Sequence, residues 1–223
     1  MKPHAWVCWS SGKDSAWALH AVRSGTDFDV RGLLTTVTKP HTRVSIHGVR
    51  EEVLAAQAAA VGLPLMRVWI PAFCQSAPYE RAMHEAFVEA HRQGVTHIVF
   101  GDLYADEMRQ YREHQLAGTG IEPVFPLWKR PTAQLAAEMI DAGLEAYVVC
   151  LDPWRMPHHL AGRRFDHQLL AALPPGTDPC GENGEFHTCA VGGPMFQHRL
   201  AAVLGPTVAV DGCVFTDIRV EAA

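Results

Sequence analysis

The sequence predicts an α/β protein: a doubly wound parallel sheet, followed by a smaller α+β region. Three observations carry this. Short apolar runs alternate with helix-like stretches from residue 5 to residue 151, which requires crossover connections and therefore parallel strands covered on both faces. The texture changes after Leu151, where Pro153, Pro157, Pro174, Pro175 and Pro179 crowd one segment. The tail then turns β-like, and TVAV-DG-CVFTDIRV carries an Asp211-Gly212 turn between β-branched runs, a hairpin signal. The division is drawn at residues 1–135 and 136–223.

The elements follow in order. Ala5 to Trp9 reads as a strand, and Ser15 to Ser24 as a helix with Trp17, Ala18, Ala21 and Val22 at helical spacing, closed by Gly25. Val30 to Val37 is β-rich. After a polar loop holding His41 and His47, the alanine-rich stretch Arg50 to Val61 is helical and stops at Gly62 and Pro64. Leu65 to Ile70 and Thr96 to Phe100 read as strands around a helix over Tyr79 to Arg92. Asp106 to Leu116 reads as a helix, Pro123 to Pro131 as a proline-bounded connector, Thr132 to Ala142 as a helix and Tyr147 to Leu151 as a strand. In such sheets ligands sit beyond the C-terminal ends of strands. The Ser10–Ser15 loop and the Gly101-Asp102 pair both fall there.

Composition narrows the classes. The 223 residues carry a net charge of −5 with neutral histidines, so no sequence-independent electrostatic term favours nucleic acid. The longest apolar run, Val53 to Met66, contains Gln57, Gly62 and Pro64 and is too short to span a bilayer. No signal-peptide hydrophobic region develops before Ser10, and the protein reads as cytoplasmic. Six cysteines without one C-x-x-C argue against a zinc or iron–sulfur site built from local pairs.

The chemistry starts at residues 8–15, CWSSGKDS. A Walker A loop needs G-x-x-x-x-G-K-[ST], but Val7 holds the place of the first glycine and Asp14 that of the hydroxyl after the lysine. No G-x-G-x-x-G follows the first strand either. What remains is a tight turn whose N–H groups and Ser10, Ser11 and Ser15 hydroxyls can wrap an anion at a helix N-terminus, with Lys13 as a point charge. Asp14 would repel phosphate unless it meets a metal ion or caps the helix.

The S-x-G-K-D-S pattern resembles the S-G-G-x-D-S loop of the ATP pyrophosphatase (PP-loop) superfamily. With FGDLYADEMRQYRE at 100–113, QLAGTGIEPVFPLW at 115–128 and DPCGENGEFHT at 178–188, the chain is similar over nearly its whole length to the diphthine–ammonia ligase family and its bacterial relatives, the adenine nucleotide α-hydrolase-like ATP-binding proteins. The resemblance implies a Rossmann-like domain of the HUP type. It implies ATP and Mg²⁺ as cofactors, cleavage of ATP to AMP and pyrophosphate, and adenylation of a small-molecule or protein-borne carboxylate that ammonia or an amine then converts to an amide. The loop spelling and E-N-G-E-F-H-T look like the bacterial branch, whose acceptor is expected to differ. Two positions depart from the family pattern: Ser11 where it has a glycine, and Gly192 where relatives carry an aspartate.

Carried over by motif, Ser10, Ser11, Gly12, Lys13, Asp14 and Ser15 would hold the phosphates beside Gly101, with Arg112 in reach of a phosphate. Asp14 and Asp102 are the candidate Mg²⁺ ligands. Glu182, Asn183, Glu185, His187 and Thr188 would line the acceptor side. Lys13, Asp102, Glu185 and His187 are the candidate catalytic residues, with Glu182 or Glu185 positioning or deprotonating the amine and His187 doing so near neutral pH. Asp102 also suits a helix cap, and Asn183-Gly184 a plain turn. His47, His158 and His159 read as solvated loop residues. No nucleic-acid or membrane partner is expected, and a homodimer is one option for assembly. The alternatives are a PP-loop tRNA-modifying adenylase and a non-catalytic ATP-binding module.

Overall fold

A computed structural model describes residues 2–39, 41–72 and 74–221. The first part runs β1 (His4–Cys8), α1 (Lys13–Ser24), β2 (Asp29–Thr38), β3 (Arg43–Val44), α2 (Glu51–Val61) and β4 (Leu65–Ile70). It continues with α3 (Ser76–Arg92), β5 (His97–Val99), α4 (Asp106–Leu116) and β6 (Glu122–Val124). The second part holds α5 (Thr132–Asp141), β7 (Glu145–Leu151), α6 (His167–Ala172), β8 (Phe186–Gly192), β9 (Ala202–Val210) and β10 (Cys213–Val220). The expected α/β architecture is observed.

The first sheet is parallel throughout β4-β2-β1-β5-β6. Val37 and Thr38 pair with β4 on one edge and antiparallel with β3 on the other, so β3 occupies the edge of β2 that β1 leaves free. Both faces are covered, which explains why the central strands are apolar without alternation: Ala5, Trp6 and Val7 are all buried. The second sheet is antiparallel in the order β8-β7-β10-β9. Asp211 (φ 51) and Gly212 (φ 81) form the two-residue turn between β9 and β10, both in the left-handed region as a type I′ hairpin requires.

Two short strands went unpredicted. β3 lies within the expected polar loop, and β6 takes the start of the expected connector. Pro123 within β6 donates no backbone hydrogen bond, which an edge strand tolerates because only β5 pairs with it.

The two sheets share one buried core, which runs from Val7 and Trp17 through Leu135 and Val148 to Ile218. Polar ties reinforce it. Gln57, fully buried on α2, accepts from the Trp9 indole (2.9 Å) and donates to the carbonyls of Ser11 (3.0 Å) and Ala190 (2.6 Å). Asp217 on β10 accepts from Arg43 (3.1 Å) and Arg50 (2.8 Å), and the Arg50 hydrogen bonds help hold its carboxyl down at about 2 against the effect of burial. Among the described residues, no helix is long and apolar enough to cross a membrane.

Candidate active site

A cleft of about 480 Å³ opens beyond the ends of β1 and β5. Its floor is Cys8 to Ser10, Leu34 to Thr36 and Phe100 to Asp102, because β2 outruns its neighbour β1. Its far wall is the 180–188 segment from the second part of the chain.

The Ser10–Gly12 turn is tied from within and from behind. Ser10 Oγ accepts from Gly12 N (3.3 Å) and shares a hydrogen bond with Ser15 Oγ (3.2 Å). Ser11 adopts φ 70, the left-handed conformation a glycine would take more readily. Its carbonyl accepts from Ala190 N (2.8 Å) and Gln57 Nε2, and these ties to β8 and α2 fix the turn despite its Cβ. The Ser11 hydroxyl faces inward, buried and without a partner. Gly12 is needed for space: a Cβ there would lie 2.7 Å from His47 Cε1 and 3.2 Å from the Thr188 carbonyl. The same holds for Gly101, whose Cβ would meet the backbone of Asp14 and Ser15 at 2.9 Å. Gly12 at the N-cap of α1 offers no side-chain cap; Gly12 N and Lys13 N are taken by Ser10 Oγ and Thr188 Oγ1, and no side chain claims the N–H groups of Asp14 and Ser15.

Lys13 differs from expectation. Its ammonium is almost wholly buried and turned away from the cleft, donating to Asp14 Oδ2 (2.9 Å) and to the Cys180 carbonyl. It stacks over Phe186 (5.3 Å) and Phe165 (5.6 Å). Burial, the largest influence, disfavours its charge, but Asp14 and its other neighbours outweigh this and raise its pKa. Lys13 N also donates to Thr188 Oγ1 (3.1 Å), so the residue ties the loop to the second part of the chain.

Asp14, Asp102, Glu182 and Arg112 line the cleft, and Arg112 is its single lysine or arginine among the described residues. Asp102 is not a helix cap; Ala105 stands at the N-cap of α4, and Asp102 pairs with Arg112 Nε at 3.6 Å. Arg112 lies over the Phe100 ring at 5.2 Å, with its Nε buried and not hydrogen-bonded. Asp14 Oδ1 is likewise buried without a partner. Burial, then the charge of Asp14, pushes the Glu182 carboxyl up to about 7. Among the described residues, no group of three or more His, Cys, Asp or Glu forms a metal cage. Asp14 and Asp102 nevertheless fit Mg²⁺, which takes one or two carboxylates together with substrate phosphates, and the unpartnered Asp14 oxygen is the kind of donor it needs.

The 178–188 segment is a self-bonded loop running into β8. Glu185, expected in catalysis, is buried and lies outside the cleft. It accepts from Asp178 N (3.1 Å), Asn183 Nδ2 (3.0 Å) and Asn183 N (2.9 Å). Burial raises its pKa, but these hydrogen bonds together bring it below the ordinary range, so it is a fixed carboxylate that shapes the loop. Asn183 is exposed and accepts from the Tyr104 hydroxyl (3.1 Å), while Glu182 accepts from Leu103 N (3.3 Å). These bonds pin the loop to the β5–α4 connection. Gly192 ends β8, away from the cleft.

His187 lines the cleft, but burial, reinforced by His47 and Lys13, pushes its pKa down to about 3. It is uncharged at neutral pH and too weak a base for the proton transfer expected of it. His47, read as a solvated loop residue, also lies in the cleft wall. Its ring stands 4.7 Å from that of His187, Nδ1 meets the Thr188 carbonyl at 3.0 Å, and burial lowers its pKa to about 4. No motif marks His47, because its place depends on a contact 141 residues away. Sequence reasoning did not single out Gln57; the signal open to it was a lone polar residue between Val53 and Val61 of the helix.

The family model of the diphthamide synthase N-terminal domain matches residues 3–122, and that of the C-terminal domain matches residues 131–215. A diphthine–ammonia ligase of Danio rerio is 29% identical over 119 residues, covering 50% of this chain and 45% of its own. One of Bos taurus is 26% identical over 162 residues, 64% of this chain and 59% of its own, and one of Rattus norvegicus 25% over 114, 49% and 43%. The chain thus spans about half the length of these relatives. With both halves matched in order, the chain belongs to the diphthamide synthase family.

Proposed function

We propose that this chain binds Mg-ATP in the cleft, splits it into AMP and pyrophosphate, and adenylates a carboxylate that ammonia or an amine converts to an amide. The observation that carries the reading is a tight turn at the N-terminus of α1, opening onto a cleft closed by the 178–188 loop. Ser10, Ser15 and the N–H groups of Asp14 and Ser15 receive the phosphates, and Leu34, Val44, Met83 and Phe100 offer the base an apolar wall. Asp14 and Asp102 would hold Mg²⁺, which neutralises phosphate charge during transfer. The cleft needs that ion, since three carboxylates face one guanidinium and would repel free nucleotide.

The remaining roles belong to the chain itself. Carboxylate oxygen attacks the α phosphorus and pyrophosphate leaves; nitrogen then attacks the acyl carbon and AMP leaves. Arg112 supplies positive charge in the cleft wall, over the Phe100 ring. Glu182, titrating near neutrality, is the cleft group fitted to take the proton that the amine gives up. Lys13 and Glu185 act through the loops they hold. The relatives named diphthine–ammonia ligase support an amide-forming ligase.

Cys8 and Cys180 in the cleft wall favour a second reading, a sulfur-transferring adenylase of the tRNA-modifying kind. Burial pushes both thiols up to about 12, which keeps them protonated and poorly nucleophilic, so the ligase reading is preferred. Incubation with Mg-ATP and a metabolite pool, followed by mass spectrometry, tests it. AMP, pyrophosphate and a metabolite gaining an amide are expected; ADP as sole nucleotide product overturns the assignment.

A further inference from the structure

We propose that His47 and His187 form the binding subsite for the nitrogen nucleophile, an ammonium ion or a primary amine; this deepens the ligase reading and rests on it. The first observation is the turn that delivers His47. His47 N donates to Ser45 O (2.8 Å), closing a three-residue turn around Ile46, which sits at φ 67. A β-branched residue in that region costs on the order of 1–3 kcal/mol and persists only where its surroundings fix it. They do so from both sides. Arg43 grips the Gly48 carbonyl (2.6 Å) while itself paired to Asp217, and the His47 ring packs against Gly12 and bonds to Thr188.

The second observation is the pattern of donors and acceptors. The Thr188 carbonyl only accepts, so Nδ1 of His47 carries the hydrogen and Nε2 keeps its lone pair. Neither that nitrogen nor those of His187 are hydrogen-bonded to any described residue, although both rings line the cleft. Burial keeps both rings uncharged at neutral pH. Around them stand Lys13, whose charge is tied to Asp14 and Cys180 and disfavours protonation of both rings, and Asp14, whose carboxylate acts in the opposite sense on His187. One free acceptor on each ring, with the Asp14 carboxylate acting on His187, suits a ligand carrying several N–H donors, and the unbonded His187 ring leaves one N–H for a lone pair on that ligand.

Imidazole nitrogen NMR tests this on the intact, nucleotide-free protein at neutral pH. Ammonium chloride and methylammonium chloride are titrated against potassium and tetramethylammonium chloride at matched ionic strength. Saturable shifts of both histidines with the first pair are expected, together with affinity about tenfold weaker in His187→Phe, the loss of one of two acceptors. Equal responses to tetramethylammonium, or no saturable response, overturn the subsite. If His187→Phe fails to fold by circular dichroism, His187→Leu, which also lacks the acceptor, replaces it with the same expected loss. AMP formation is measured separately, so a positive titration without AMP retains the amine site and removes the ligase reading, and AMP with a negative titration does the reverse.

Discussion

Ser11 is the residue whose conformation the sequence left as a question. The backbone takes the positive φ that a glycine would supply, and the hydroxyl is left buried and unpaired. Replacing it with glycine relieves a left-handed L-residue worth about 1–2 kcal/mol and an orphaned hydroxyl, against a chain-entropy loss of roughly 0.5–1 kcal/mol. Ser11→Gly is therefore expected to stabilise the protein by about 1 kcal/mol, read as a higher urea midpoint. Gly101→Ala should act in the opposite sense: its Cβ meets backbone at 2.9 Å, so the phosphate loop must shift. A loss of about 1–3 kcal/mol and of ATP binding, measured by calorimetry, is expected.

At the scale of elements, α2 matters through Gln57. One amide satisfies the Trp9 indole and two carbonyls at the seam between the sheets, so Gln57→Leu takes this partner from the Trp9 indole and the Ala190 carbonyl, while the Ser11 carbonyl keeps Ala190 N. A destabilisation of about 2 kcal/mol or more is expected in chemical denaturation, because each abandoned group costs roughly 1–3 kcal/mol. The 178–188 loop is equally self-contained. If the proposed ligase reaction holds, Glu185→Gln should raise the KM of the acceptor by loosening this loop, while leaving in place the pH profile assigned there to Glu182.

For the whole molecule, proton linkage gives a testable curve. His47 and His187 have folded pKa values of about 4 and about 3, below the ordinary 6.5, so the stability tied to their neutral forms is complete above pH 6.5 and falls as pH drops. Glu182 works against them, since its folded value of about 7 exceeds 4.5 and it binds a proton in the folded state first. Between pH 6.5 and 4.5 the difference is about one proton, or about 1.4 kcal/mol per pH unit; below 4.5 Glu182 stops opposing the histidines just as His47 and then His187 protonate in the folded state, so for these three groups the difference stays near one and vanishes below about pH 3. Urea midpoints across that range should follow this slope, and His187→Phe should flatten it. The charge of the cleft makes a second whole-molecule prediction: chelating Mg²⁺ should weaken ATP binding at least tenfold in calorimetry, and Asp14→Asn should reduce that dependence.

The sequence by itself determined what depends on local pattern. Apolar runs, helix stops and the Asp211-Gly212 turn specify nearly every element, and Val7 and Asp14 separate this loop from Walker A, because backbone geometry and phosphate contact are written within a few neighbouring residues. Tertiary structure alone decided where the side chains of those motifs point. Lys13 turns inward because Asp14, Cys180 and two phenylalanine rings surround it, and Glu185 leaves the cleft because its own loop claims both oxygens. His47 enters the cleft only because β8 offers it a carbonyl far along the chain. Burial and long-range partners set the charge and direction of these groups, and neither is a property of sequence neighbours.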